Sequence, residues 1–103
     1  MIKVTINSTD VINSIEIKGH SGYSTSGYDI VCASVSSIAI TTVNAVISIS
    51  KNAITYKEDN GYLLVNINNH SSVVDKLINN MISLLEEMEK QYKKYIEIRR
   101  CHR

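Results

Sequence analysis

The sequence predicts one small α/β domain, in the order β-β-α-β-β-α-β, with a mixed sheet packed against two helices. Three observations carry that prediction. Short runs alternate apolar and polar residues near the N-terminus and again at residues 95–99. An Asn60-Gly61 pair sits between two further strand-like runs. Residues 73–88 repeat apolar side chains at the helical period. With 103 residues, no proline, no repeat and no low-complexity linker, the chain reads as a single domain throughout.

The elements follow in order. In residues 1–7, Ile2, Val4 and Ile6 point one way and Lys3 and Thr5 the other, the period of a half-buried strand. Ser8-Thr9-Asp10 is a turn cluster, and 11–19 contain Ile15-Glu16-Ile17-Lys18, so these two strands predict a hairpin. Residues 29–50 are rich in β-branched side chains, which favour strands. Yet Val31, Val35, Ile38, Thr42, Val46 and Ile49 recur at three- and four-residue steps, and Ala33, Ala39 and Ala45 are small. The helical period decides, and a helix so apolar is expected to be buried over much of its circumference. Residues 53–57 and 62–67 read as strands joined at Asn60-Gly61. Ser71 and Ser72 both offer helix caps, with Asp75 three residues after Ser72 as a capping-box match. Val73 through Met88 then present a regular apolar face opposite Glu86, Glu87, Glu89 and Lys90.

Composition excludes several classes. A net charge of +1 gives no electrostatic case for direct nucleic-acid binding. No apolar run of about 18 residues is expected, which argues against a membrane span, and the N-terminus lacks a signal-peptide core. Cys32 and Cys101 are too few for a disulfide scaffold, so the default location is the reducing cytoplasm.

Chemistry concentrates in residues 19–37, Gly-His-Ser-Gly-Tyr-Ser-Thr-Ser-Gly-Tyr-Asp-Ile-Val-Cys-Ala-Ser-Val-Ser-Ser. A strand runs into Gly19-His20, a loop with two glycines follows, and a helix is expected to start near Tyr28 or Asp29. Cys32 would then lie in its first turn. An ordinary thiol, with a pKa of roughly 8.5, is only about 3% ionised at neutral pH, and the thiolate is the nucleophile. A helix N-terminus favours the anion by roughly 0.3–1 kcal/mol, too little alone. An imidazole that takes the thiol proton supplies the larger shift, and His20 is the nearest candidate in sequence. The plainer reading of Cys32 is a small buried apolar residue, and of His20 a hydrogen-bonded residue at a strand end.

These residues also carry a family likeness. Gly19-His20, then Gly27, Asp29-Ile30-Val31-Cys32-Ala33 and Val35-Ser36, resemble the signature of the bacterial ribosomal-processing cysteine proteases, the Prp family. Ser21 and Ser34 stand where alanine is common in that family, and Ile38 where leucine is. None of these departures removes a reactive group. The resemblance implies a cysteine endopeptidase with His20 as base and Cys32 as nucleophile, working through an acyl-enzyme. It implies as substrate the N-terminal extension of large-subunit ribosomal protein twenty-seven, cut beside aromatic residues. A homodimer is implied as well. No cofactor is called for.

Around the pair, several residues have two readings. Asp29 is a cap or the orienting third member of a triad. Ser36, one turn beyond Cys32, is packing or a supporting hydrogen-bond partner. Gly22 and Gly27 are turn residues or hinges of a loop closing over a peptide. Tyr23 and Tyr28 are exposed aromatics or groove residues. The N–H groups at the helix start, that of Cys32 included, are candidate oxyanion donors. His70, Cys101 and His102 lack metal-ligand spacing, and the tail 99–103 reads as a solvated, frayed end. The alternative from another class is a non-catalytic ribosome- or RNA-binding module using that basic tail and the open sheet face.

Overall fold

The computed structural model describes residues 1–19 and 26–103, the side chains of 26–29 excepted. Seven elements follow one another: β1 Ile2–Ser8, β2 Ile12–Lys18, α1 Ser26–Ile49, β3 Ile54–Asp59, β4 Tyr62–Ile67, α2 Ser72–Gln91 and β5 Ile96–His102. The five strands form one sheet in the order β3-β4-β2-β1-β5. β1 pairs β2 antiparallel and β5 parallel, and β4 lies antiparallel between β2 and β3. The sheet is therefore mixed, and the element order is the expected one.

Alternation fixes the two faces of the sheet. Ile2, Val4 and Ile6 of β1 align with Ile15 and Ile17 of β2 and Leu63, Val65 and Ile67 of β4, and all are buried. From α1 the core receives Val31, Cys32, Val35, Ala39, Thr42, Val43 and Val46; from α2, Val74, Ile78, Met81, Ile82 and Leu85. These apolar residues form one cluster between the helices and the sheet. The far face carries Lys3, Thr5, Glu16, Lys18, Lys57 and Arg99 and is open.

The buried stripe of α1 differs from the predicted one. Ile49 is 57% exposed and Ile38 only half-buried, whereas Ala39 and Val43 are inside. The β-branched residues run nearly round the helix, so apolarity alone does not select a face. The same property makes Ile30–Ile49 long and apolar enough to cross a membrane, which corrects the expectation that no such run exists. Scattered Ser, Thr and Asn interrupt the run without lowering its mean hydropathy below that of a membrane-crossing helix. Here that helix lines the core.

Two terminal features also differ. Ser71, not Ser72, caps α2: its hydroxyl accepts from the Val74 N–H at 3.1 Å. Asp75 makes no capping box, because its carboxylate lies 2.9 Å from His70 Nδ1. The basic tail is not frayed. Arg99 to His102 belong to β5, and the Arg103 N–H donates to Ser8 O at 2.9 Å.

Candidate active site

β2 ends at Lys18, and Gly19 turns the chain away with φ +85. That conformation is cheap for glycine only. A Cβ at this position would also sit 2.7 Å from the Met1 carbonyl oxygen. The Gly19 N–H donates to Gly61 O at 2.8 Å, which ties the exit from β2 to the β3–β4 turn. At that turn Gly61 has φ +73, while Asn60 keeps a negative φ. The end of the sheet that bears Gly19 and Gly61 is the end from which the loop toward Cys32 departs.

His20, Gly22 and Tyr23 lie outside the described residues. Gly27, Tyr28 and Asp29 lie within α1, which begins at Ser26, earlier than predicted. Several cap-forming residues stand between Ser24 and Asp29, and the apolar period does not select among them. Asp29 is thus the fourth helical residue and not the N-cap, and Gly27 and Tyr28 are helical rather than loop residues. Cys32 falls in the second turn. N–H groups without an intrahelical partner occur only up to Tyr28, the third helical residue, whereas that of Cys32 pairs back along the helix. Cys32 N–H is therefore not a free oxyanion donor. The dipole of the helix end also weakens beyond its first turn.

Cys32 is 8% exposed and packs with the core cluster. Burial of a thiol favours the neutral form, so a reactive sulfur here needs a cationic or basic neighbour. Ser36 follows one turn later, half-buried on the same side. With Ala39, Ile40 and Leu63 it lines a shallow crevice of about 10 Å³, room for about one water, whose one charged lining residue among those described is Glu58 of β3. Sequence reading missed Glu58, because nothing local announces that a strand residue far along the chain meets the helix turn after Cys32.

The remaining histidines and cysteine are elsewhere. Among the described residues no group of three metal-ligating side chains forms. His70 faces Asp75, His102 Nδ1 lies 3.4 Å from Ser8 Oγ, and Cys101 sits opposite Asn7 on the face away from the helices.

The model of the family described as cysteine protease Prp matches residues 1–97. The chain belongs to that cysteine protease family. It is 23% identical over 100 residues to the ribosomal processing cysteine protease Prp of Staphylococcus aureus, covering 94% of each chain. The S. aureus Prp structure with a substrate peptide superposes with a TM-score of 0.92 at 23% identity, covering 98% of this chain and 100% of that one. SMU.848 from Streptococcus mutans gives a TM-score of 0.90 at 22% identity, covering 100% and 96%. The whole fold is thus shared, while four residues in five differ or nearly so. The enzyme is a cysteine peptidase by membership, and the assignment of its individual residues rests on chemistry.

Proposed function

We propose that this protease uses His20 and Cys32 as a catalytic dyad to remove an N-terminal extension from a ribosomal protein. The carrying observation is that a cysteine protease family spans the chain while Cys32 stands near the loop-proximal end of α1. His20 directly follows Gly19, whose backbone is pinned at the other end of that loop. The Cys32 sulfur gives its proton to His20 and attacks the scissile carbonyl. As the tetrahedral adduct collapses, His20 returns the proton to the leaving amine. Water, deprotonated by His20, then releases the acyl group and regenerates the thiol. The first-turn N–H groups of α1 are the donors offered to the oxyanion. Ser36 supports the sulfur from the next turn, and Asp29 orients or charges the site. Gly22, Tyr23, Gly27 and Tyr28 shape the approach of the peptide.

The S. aureus relative has been solved with a substrate peptide and with a covalently linked product peptide, which supports an acyl-enzyme route here. The family resemblance supports large-subunit ribosomal protein twenty-seven as the substrate, a cytoplasmic setting and a homodimer. The test is cleavage of a peptide spanning the junction of that extension. Cys32→Ala is expected to lower kcat by at least about a thousandfold, as loss of a nucleophile does. His20→Ala is expected to slow single-turnover acylation about a hundredfold or more, the worth of general-base help. Undiminished cutting by Cys32→Ala refutes the nucleophile, and undiminished acylation by His20→Ala refutes the base.

A further inference from the structure

The sheet has two edges, and the fold treats them differently. On β5, Glu89 Oε2 accepts from the Ile98 N–H at 2.7 Å, and Tyr92 O accepts from the Ile96 N–H at 3.3 Å. The end of α2 thus covers the first half of that edge, at Ile96 and Ile98. On β3 the inward bonds are fixed by register. The Asn68 N–H donates to Ala53 O at 2.7 Å, one step beyond the Ile54–Ile67 pair. Bonded and non-bonded pairs alternate in an antiparallel ladder, so Thr55, Lys57 and Asp59 bond to β4. The main-chain N–H and C=O of Tyr56 and Glu58 then point outward, and among the described residues none bonds them. Both residues are exposed.

This open edge leads to the candidate nucleophile. Glu58 lines the same crevice as Ser36, Ala39 and Ile40. Cys32 stands one helical turn, or about 6 Å of rise, before Ser36. The hairpin that ends β3 is itself bonded to Gly19, the start of the loop bearing His20. A chain laid along β3 therefore runs toward the turn of α1 that carries the sulfur.

We propose that the outer edge of β3 is the docking strand for the peptide substrate. The extended peptide adds to the sheet through the main chain of Tyr56 and Glu58 and passes beside Ser36 toward Cys32. The occupant is substrate because the edge is continuous with the crevice one turn from Cys32. The Glu58 carboxylate, on the helix side of the strand beside Ser36, favours a peptide with a cationic residue near the cut. This inference rests on the protease reading above.

Proline is tolerated on an edge strand where its missing N–H faced solvent, so Tyr56→Pro deletes one docking donor and spares the pairing with β4. Tyr56→Ala, which keeps that donor, is the reference. With the junction peptide, kcat/KM of Tyr56→Pro is expected about tenfold below Tyr56→Ala, the scale of one lost main-chain hydrogen bond. Labelling of Cys32 by iodoacetamide should be unchanged between them. A second measurement uses the unaltered protein: junction peptides N-methylated at one residue at a time should lose cleavage at alternating positions. Should Tyr56→Pro fail to fold, this series decides alone. Equal kcat/KM for the two variants, or a flat methylation profile, overturns the proposal. So does a Tyr56→Pro protein that loses a dimer in sedimentation yet cuts normally, since the edge then serves a second copy. A wild-type protein that does not cut removes both readings. One that cuts while the edge changes have no effect removes only this one.

Discussion

At the scale of single residues, the site depends on how one glycine and one thiol are held. Gly19 combines a left-handed backbone with a close approach to Met1 O. Gly19→Ala is therefore expected to destabilise the fold by roughly 1–3 kcal/mol, the cost of a forced left-handed residue. It should lower cleavage further by moving His20, and denaturant melts run beside peptide assays separate the two effects. Cys32 labelling by iodoacetamide, measured in a Cys101→Ser background, should titrate well below the ordinary thiol value of roughly 8.5 if His20 is its partner. In His20→Ala that titration should move back up. Away from the site, the Tyr62 hydroxyl donates to Glu16 Oε2 at 2.8 Å. This bond, then desolvation and the Glu16 charge, raise the Tyr62 pKa. The folded state thus favours the neutral phenol. Its contribution is complete below the ordinary tyrosine pKa and is lost as pH rises through the elevated one. Ultraviolet difference titration against Tyr62→Phe should show Glu16→Gln lowering that midpoint.

At the scale of elements, small side chains set how α1 sits on the sheet. Ala39 is fully buried and also lines the crevice beside Ser36. Ala39→Leu is expected to cost about 1–3 kcal/mol in denaturant unfolding through overpacking. An exposed neighbour such as Thr41→Ala should change stability by less than about 0.5 kcal/mol. Existence and type of all seven elements were legible, because period-two and helical alternation are local properties. Boundaries and faces were less so. The start of α1 is ambiguous among Ser24, Thr25, Ser26 and Asp29, each a capable cap. Ile49 looks like a core residue by spacing, but it lies at the end of α1, where its position leaves it exposed. The last strand reaches His102 because Ser8 pairs with it across nearly the whole chain, a parallel partnership no local pattern announces.

At the scale of the whole molecule, two helices cover one face of the sheet, and the edges decide what else can join it. Cys32 and His20 were found from spacing and family likeness, whereas the crevice joining Ser36 to Glu58 needed the strand order that only folding reveals. The same order gives Glu89 its task. Its carboxylate holds the Ile98 N–H and Glu86 pairs with Arg100 at 3.0 Å, so α2 lashes down β5. The exposed Arg100–Glu86 pair contributes at most about 1 kcal/mol. The charge-assisted bond from Ile98 is worth more, and Glu89→Ala is expected to cost roughly 1.5–3 kcal/mol in thermal or denaturant unfolding. Glu89→Gln, which keeps an acceptor, should recover part of that loss. An unblocked β5 edge would also offer the Ile98 N–H to another chain, so Glu89→Ala should self-associate beyond any native dimer in sedimentation. Peptide cleavage per folded protomer should persist, because β5 lies at the opposite side of the sheet from β3. If Glu89→Ala instead matched the native protein in both stability and association, the closed-edge account of β5 would fail. The contrast that singles out β3 as the open edge would then fail with it.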